Sequence, residues 1–195
     1  MPPKAKFTKE QIIDAALQIT RESGIEAVTA RAIGTALTSS ARPIFTVFNN
    51  MEELLCETVN AVRDIYNSYI ALGLNDKIPF KGVGKAYILF AQNEPNFFRL
   101  LFMAPNNTTN VLSSILPAID ENSDKILASI MNPYGLDKER AYELYKYLWI
   151  FSHGIATLCA TNVCKFTSDE ISELLTNEFK GILIKMRMEE QNDKS

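Results

Sequence analysis

The chain has 195 residues and a formal net charge of −3 at pH 7. Apolar residues make up 47% and charged residues 22%, with only 8 Gly and 8 Pro, which excludes a disordered or low-complexity chain. The negative net charge excludes a protein that coats nucleic acid without preference. The length suits one sizeable core or two smaller ones.

The charge is distributed unevenly. Residues 1–50 carry six basic and four acidic groups, a net charge of +2, so the remainder carries −5. A slightly basic N-terminal part followed by an acidic remainder is typical of a protein that contacts DNA through one end only. Ordinary solvated surface charge would give the same count.

Three cysteines, Cys56, Cys159 and Cys164, show no C-x-x-C or metal-ligand spacing, and the first residues do not have the pattern of a signal peptide. These features indicate a reducing, cytoplasmic setting. We expect the cysteines to be small buried residues, with a redox sensor as the alternative. Residues 147–164 lack formal charge, but their polar content favours a buried helix over a membrane span.

The first predicted element is a helix from Thr8 to Ser23. Thr8 and Gln11 have the spacing of a capping box, and Gly24 is a typical stop. The apolar residues of this helix lie on one side. We therefore expect it to brace the element that follows.

Two short helical segments then lie between residues 29 and 48. Thr29 is placed to cap the first, whose apolar residues recur at i, i+3 and i+4. Residues 38–40 break that pattern, and Ser40 is placed to cap the second segment, residues 41–48. Two short helices across such a turn form a helix-turn-helix. The spacing alone is compatible both with DNA binding and with a plain helical hairpin.

A longer helix is predicted to begin directly after this segment. Asn49 and Asn50 precede Glu52 and Glu53 at the spacing of a capping box. The apolar periodicity then continues to about Leu72, followed by a linker over residues 73–79. At about 1.5 Å per residue, such a helix spans roughly 30 Å and can connect two domains.

The stretch from Thr29 to Leu55 resembles, without gaps, the DNA-binding signature of the TetR family of transcriptional regulators. The matching positions are Thr29, Ile33, Leu37, Ser40, Ile44, Phe45, Phe48, Glu52, Glu53, Leu54 and Leu55. The resemblance implies a homodimer whose two recognition segments read successive major grooves of a near-palindromic operator in double-stranded DNA.

Four positions depart from the pattern of that family. Gly34 replaces an alanine, Thr38 the turn glycine, Phe45 a tyrosine and Met51 a lysine. A residue other than glycine at positive φ costs free energy, so Thr38 is the most demanding departure. Phe45 and Met51 lack a hydroxyl and a charge that would serve the phosphate backbone.

Eight residues form the predicted DNA-binding set. Arg42 is the candidate for a base or phosphate contact, and Phe45 for packing or contact with a thymine methyl. Phosphate contacts are predicted for Thr29, Ser40 and Thr46. The full set is Thr29, Ser40, Ala41, Arg42, Pro43, Phe45, Thr46 and Asn50.

The rest of the chain is also predicted to be helical. The predicted helices cover residues 80–94, 96–103, 110–131 with a kink at Pro117, 137–163 and 168–190, with a break at 132–135. This pattern predicts an all-α protein. The predicted domains are a helix-turn-helix head, residues 1–55 with its linking helix to about 72, and a ligand-binding and dimerisation bundle, residues 73–195. The last two helices are expected to form a four-helix interface with their copies.

A second resemblance concerns this C-terminal part. Trp149, His153 and Gly154, with the earlier segment from Asn93 to Leu100, resemble the TetR subgroup whose regulatory domain is named for its Trp-His-Gly motif. That resemblance implies binding of a small-molecule effector. The predicted ligand-binding residues are Tyr87, Phe98, Phe102, Met103, Trp149 and His153. A plain aromatic core, with a buried, hydrogen-bonded His153, is the alternative.

The sequence gives no sign of catalysis. It lacks a nucleophile elbow, a Gly-rich phosphate loop and an evident carboxylate pair, and it has one histidine. We therefore predict no enzyme, no catalytic residue, no metal site and no cofactor. The predicted function is a cytoplasmic repressor released from DNA by its effector. The alternative is a ligand-binding or scaffold protein with a degenerate helix-turn-helix.

Overall fold

The computed structural model of the protein describes residues 6–103 and 122–192. Within these residues the chain forms eight α-helices and two short 3-10 helices and no strand, which confirms the all-α prediction. The α-helices are α1 (Lys9–Ser23), α2 (Ala30–Ala36), α3 (Met51–Leu74), α4 (Pro79–Asn93), α5 (Pro95–Phe102), α6 (Ser123–Tyr134), α7 (Lys138–Ala160) and α8 (Ser168–Asn192). The 3-10 helices are Ile25–Ala27 and Arg42–Thr46.

The described residues fall into two compact units. The first contains the residues up to Ile65 together with those from Glu94 to Met103. The second contains Tyr66–Asn93 and the residues from Asn122 onward. Helix α5, which follows the predicted domain boundary in sequence, thus belongs to the first unit.

The core of the first unit is a cluster of apolar side chains from α1, α2, the second 3-10 helix and the start of α3. Its members are Ile12, Ala16, Val28, Ile33, Ile44, Phe48 and Leu54. Helix α1 begins as predicted, because the backbone N–H of Gln11 donates to the Thr8 hydroxyl at 3.2 Å and the Gln11 side chain accepts from the Thr8 N–H at 3.0 Å. Burial of one face of each short helix supplies the stability that such helices lack in isolation.

Helix α5 is attached to α1 by polar contacts and one aromatic ring. The Arg21 guanidinium forms an ion pair with Glu94 at 2.9 Å and lies over the ring of Phe97 at 4.9 Å from its centroid. The Asn96 side-chain amide donates to the backbone carbonyl of Arg21 at 2.9 Å. Phe97 itself is fully buried. These contacts explain why α5 packs with the first unit.

The turn after α2 adopts the conformation that the sequence makes demanding. Thr38 has φ of 50°, in the left-handed region that favours glycine. The turn also lies directly against α2, because a Cβ on Gly34 would come within 3.0 Å of the Ser39 carbonyl oxygen. The absence of a side chain at Gly34 therefore permits this close turn.

Replacing Thr38 with glycine is expected to stabilise the protein modestly. Removal of the β-branched side chain at positive φ relieves about 1–2 kcal/mol of strain in the folded state. Glycine has more conformational freedom in the unfolded state, which lowers the stability by about 0.5–1 kcal/mol. We expect the free energy of unfolding in urea to rise by about 0.5–1 kcal/mol. Thr38→Ala retains Cβ and should leave most of the strain. An equal gain from both variants would contradict this explanation.

The second predicted helix is a 3-10 helix, Arg42–Thr46, rather than an α-helix. Its N-cap is Ala41, with no side-chain capping bond, so the prediction that Ser40 caps it is wrong. The segment is only five residues long and has Pro43 in its first turn, which removes a backbone donor. Short segments of this kind form 3-10 turns readily.

Helix α3 begins at Met51, with the predicted cap slightly displaced. The Asn50 side chain accepts from the backbone N–H of Glu53 at 2.8 Å, and the Glu53 carboxylate accepts from the backbone N–H of Asn49 at 2.8 Å. The backbone N–H of Asn49, together with its side-chain amide, donates to this carboxylate and holds the pKa of Glu53 below its ordinary value. The helix extends to Leu74, two residues beyond the predicted end.

The second unit is organised around α4, which packs against α6, α7 and α8. Eight of its residues are buried, namely Phe80, Gly82, Val83, Ala86, Tyr87, Ile88, Phe90 and Ala91. The end of α3 crosses the start of α4 at two glycines, since a Cβ on Gly73 would lie 2.6 Å from the Gly82 carbonyl oxygen. The two backbones can approach this closely only because neither residue has a side chain.

The ends of the last three helices follow the predictions in part. Helix α6 continues through Pro133 to Tyr134, with Gly135 as its C-cap at φ of 66°, so it ends inside the predicted break at 132–135 and three residues beyond the predicted helix end at 131. Asp137 caps α7 by accepting from Arg140 N–H at 2.9 Å, and Thr167 and Glu170 form the predicted cap of α8. The predicted loop at residues 104–109 and the predicted kink at Pro117 lie outside the described residues.

The cysteines are free and differ in exposure. Cys159 is buried, whereas Cys56 and Cys164 are exposed, so the prediction of buried cysteines is wrong for those two. None of the helices in the described ranges is both long and apolar enough to cross a membrane. Residues 6–103 and 122–192 also contain no group of three or more His, Cys, Asp or Glu side chains placed to hold a metal ion.

Candidate nucleic-acid interface and ligand cavity

The 3-10 helix Arg42–Thr46 presents its polar side chains outward. Ile44 and Phe48 are each 1% exposed and anchor the segment in the core of the first unit. Arg42, Phe45 and Thr46 are exposed on the opposite side. Because one side is fixed by burial, the outward side chains are held in a defined arrangement that a DNA groove can meet.

Arg42 is the strongest candidate within this segment. Its guanidinium forms no ion pair with any residue of the described ranges, so its five N–H donors remain available. Thr46 is a weaker candidate. Its hydroxyl donates to the backbone carbonyl of Pro43 at 2.6 Å, so its proton is not available to a phosphate oxygen while that bond persists.

Thr29 and Asn50 each combine a capping bond with a free donor. The Thr29 hydroxyl oxygen accepts from the backbone N–H of Ala32 at 3.1 Å, which leaves the hydroxyl proton free to donate. The Asn50 carbonyl caps α3 and thereby directs its amide group outward, where the residue is exposed. Both can donate to phosphate without breaking the helix caps.

The remaining members of the predicted set surround the turn. Ser40 is exposed, and Ala41 and Pro43 are half-buried. Lys6 lies nearby, since its ammonium group donates to the Ser39 hydroxyl at 3.0 Å. Lys6 is not in the predicted set of eight, but it belongs to the basic N-terminal arm, residues 1–6, for which the family resemblance implies contact with phosphate or the minor groove and an ordinary solvated terminus is the alternative.

Two basic residues of the N-terminal part, Lys9 and Arg21, are each paired with an acidic residue. The Lys9 ammonium group forms an ion pair with Glu57 at 2.8 Å, and this hydrogen bond raises the pKa of Lys9. Arg21 is likewise paired with Glu94. Among the described residues 6–50, the exposed basic residues outside these two ion pairs are Lys6, Arg31 and Arg42.

The second unit contains a cavity of about 480 Å³. This volume is within the range of about 300–1,000 Å³ that is typical of small-molecule sites. Seven aromatic side chains contribute to its wall, namely Tyr66, Phe80, Tyr87, Tyr134, Tyr145, Trp149 and Phe179. Aliphatic side chains of Val83, Leu148, Leu175 and Leu183 complete most of the remaining surface.

Tyr87 and Trp149, from the predicted ligand set, line this cavity. His153 lies behind them, with its Nδ1 atom 2.9 Å from the Tyr87 hydroxyl and its ring stacked on Trp149 at 4.9 Å between centroids. Burial lowers the pKa of His153, so the imidazole is neutral at pH 7. His153 thus positions two cavity residues and does not itself line the described wall.

Phe98, Phe102 and Met103 do not line this cavity. They lie on or directly after α5 in the first unit, where Phe98 is buried and its ring centroid is 5.0 Å from that of Phe102. Met103 is 40% exposed. The residues that sequence analysis missed are mostly on α8 and at the start of α4, including Phe80 and Phe179. Their helical periodicity indicated only burial, and no local pattern separates a cavity wall from a filled core.

The C-terminal part of the chain is similar to a known protein family. Residues 80–178 match the family model described as the tetracyclin repressor-like C-terminal domain. That match covers α4 from Phe80 onward, all of α5, α6 and α7, and the first part of α8, with the cavity residues on them. No curated protein sequence is similar enough to be identified as a relative.

Several solved structures share the fold. A TetR family protein from Vibrio parahaemolyticus superimposes with a TM-score of 0.59 at 19% identity, covering 89% of this chain and 97% of that one. A transcriptional regulator from Rhodococcus sp. Rha1 gives 0.58 at 12% identity, covering 91% and 96%. The fatty acid degradation regulator of Bacillus halodurans gives 0.58 at 16% identity, covering 92% and 97%. At these identities the similarity shows the fold. Together with the family match, it establishes that the chain belongs to the TetR family of transcriptional regulators.

Proposed function

We propose that the protein is a homodimeric, cytoplasmic repressor that binds a near-palindromic operator and is released by a small molecule in the cavity of the second unit. The observation that carries the DNA-binding part is the anchored 3-10 helix with its outward, unpaired Arg42. Ile44 and Phe48 fix the backbone, and the guanidinium can reach base edges or phosphate from that fixed position.

Dimerisation is supported by an exposed apolar stripe on the last two helices. On α7, Tyr147, Ile150 and Leu158 are 40%, 48% and 37% exposed, and on α8, Ile184 and Met188 are 55% and 60% exposed. Gly154 and Gly181 lie in the same stripes, and a Cβ built on either would contact nothing within 4 Å. Glycines on two apolar faces allow helices of a second copy to approach closely.

Release is supported by the position of one cavity residue. Tyr66 lines the cavity and belongs to α3, the helix that begins directly after the recognition segment. A ligand that binds better to one position of Tyr66 biases the position of α3. In the repressor that we propose, this bias favours a spacing of the two recognition segments that no longer fits the operator.

The function is tested by capture of sheared DNA from the source genome. The purified chain is compared with Arg42→Ala and with Lys125→Ala, a matched loss of one exposed positive charge on α6. We expect the parent and Lys125→Ala to enrich a near-palindromic site. Arg42→Ala should reduce that enrichment by about tenfold or more, because a specific bidentate contact contributes about 1–3 kcal/mol.

Half-sites separated by about one helical turn, roughly 34–36 Å, would support the dimer as well. Equal retention of DNA by all three proteins, without sequence preference, would contradict the regulator proposal. That result would support the alternative, a helical ligand-binding or scaffold protein whose helix-turn-helix does not bind DNA specifically.

A further inference from the structure

The cavity of the second unit has a distinct charge pattern. Three of its described lining residues are cations, Lys81, Lys180 and Arg187, and none is an aspartate or glutamate. No ion pair joins these cations to an acid within residues 6–103 and 122–192. Lys81 is half-buried and the other two are exposed, so the positive charge lies at the edge of the cavity.

The inner wall of the cavity, in contrast to its charged edge, is formed by buried aromatic residues. Tyr66, Tyr87 and Tyr145 are 2%, 3% and 5% exposed. The hydroxyl of Tyr87 is hydrogen-bonded to His153, so Tyr87 contributes mainly its apolar ring to the cavity wall. A ligand that matches both regions has a long apolar body and a charged group at one end.

The sign of that charge follows from the described lining residues. A cationic ligand could be attracted to the aromatic faces, but it would meet three cations and no carboxylate at the edge. A negatively charged group would instead be attracted by all three. The ring centroids of Phe80 and Phe179 are 6.0 Å apart, which brings α4 and α8 together at the positions directly before Lys81 and Lys180. These two cations therefore project from adjoining helix segments at the edge.

The volume limits the length of the apolar body. At about 30 Å³ for a water molecule in the liquid, 480 Å³ corresponds to about 16 water-sized groups. A methylene group is of similar size. A single chain of about ten carbons is therefore below this limit and fits with its head group at the edge.

We propose that the cavity binds a single-chain amphipathic carboxylate, with its apolar chain among the aromatic residues and its carboxylate at Lys81, Lys180 and Arg187. This inference rests on the proposed role of the cavity as the effector site. It adds the chemical class of the effector, and it names three residues that select the charge of the head group.

The test uses the intrinsic fluorescence of Trp149, the only tryptophan of the chain, which lines the cavity. The full-length protein, free of DNA, is titrated with decanoate, 1-decanol and decyltrimethylammonium. Isothermal titration provides a second measurement. We expect saturable binding of decanoate, binding of the alcohol at least about tenfold weaker, and the weakest binding for the ammonium compound, because hydrogen bonds to charged groups contribute about 1.5–3 kcal/mol.

The variant Lys81→Gln/Lys180→Gln/Arg187→Gln should bind decanoate about 10- to 100-fold more weakly than the parent. Its affinity for 1-decanol should stay within about twofold of the parent, which also shows that the cavity is intact. Lys185→Gln is the matched control, because Lys185 lies on α8, pairs with Glu189 at 3.6 Å and does not line the cavity. It should bind decanoate as the parent does.

Two results would overturn the inference. One is a parent protein that binds 1-decanol as tightly as decanoate, and the other is a triple variant that retains the affinity of the parent for decanoate. Neither result depends on DNA. Operator binding without any decanoate binding would contradict this inference alone, whereas decanoate binding by a protein that captures no operator would contradict the proposed function alone.

Discussion

Replacing Gly82 with alanine is expected to destabilise the second unit strongly. A Cβ at this position would overlap the backbone carbonyl oxygen of Gly73 and the Cβ of Asp76. Alanine inside a helix ordinarily stabilises it by about 1 kcal/mol relative to glycine. Here that gain is smaller than the cost of separating two helical backbones, since overpacking of this kind costs about 1–3 kcal/mol or more. We therefore expect a net loss of about 2 kcal/mol.

Thermal and urea unfolding of the full-length protein measure this loss. The matched control is Gly84→Ala, the same substitution two residues further along α4. Its Cβ would come within 3.1 Å of a methyl carbon of Leu175, the end of a side chain that can rotate away. Gly84→Ala should change the stability by less than about 1 kcal/mol. Equal stability of the two variants would show that the Gly73–Gly82 crossing does not constrain the fold.

Replacing Thr29 with aspartate is expected to weaken operator binding strongly without loss of stability. The hydroxyl oxygen of Thr29 accepts from Ala32 N–H, and a carboxylate accepts the same bond equally well. A negative charge at the start of α2 also interacts favourably with the helix dipole. The fold should therefore be as stable as that of the parent. The carboxylate cannot donate to phosphate and repels it.

If the substitution lowers the DNA affinity of each subunit by about tenfold, or 1.4 kcal/mol, the affinity of a dimer for its operator falls by about 100-fold. Binding to the captured operator is measured by fluorescence anisotropy at fixed salt, and unfolding in urea is measured in parallel. Thr29→Asn, which caps the helix and keeps a donor, is the matched control and should retain most of the affinity. Full operator affinity in Thr29→Asp would remove Thr29 from the DNA interface.

The two largest expected effects thus arise from different origins. Gly82 acts through the packing of α3 against α4, and its substitution should lower stability whether or not DNA is present. Thr29 acts through one hydrogen-bond donor, and its substitution should lower DNA affinity in a folded protein. Measuring stability and binding on both variants separates damage to the fold from damage to the interface.

The predicted features that the structure confirms are mainly local. Thr8 and Gln11 form a capping box, Thr29 caps α2 and Thr167 caps α8. Each is a contact between residues three apart, so the spacing in the chain is enough to predict it. The positive φ of Thr38 agrees with the family resemblance, which places Thr38 at the glycine of the turn.

Other features depended on residues that are distant in the chain. Ser40 has a good spacing for a cap, but the following segment forms a 3-10 helix whose register is set by burial of Ile44 and Phe48. Helix α5 has the aromatic composition of a ligand site. Its contacts with Arg21, which lies 73 residues before Glu94, instead hold it against α1, where Phe97 is buried. Local periodicity carries no information about which distant surface covers an apolar face.

The sequence by itself determined the helical class, most helix boundaries and the resemblance of residues 29–55 to a DNA-binding signature, because caps and periodicity are properties of neighbouring residues. Tertiary structure decided that the Thr46 hydroxyl is occupied by Pro43, that the Thr29 hydroxyl proton is free, and that Lys81, Lys180 and Arg187 lie at one cavity. A hydrogen bond or a cavity edge is defined by distances between side chains. Those distances exist only after the helices have packed.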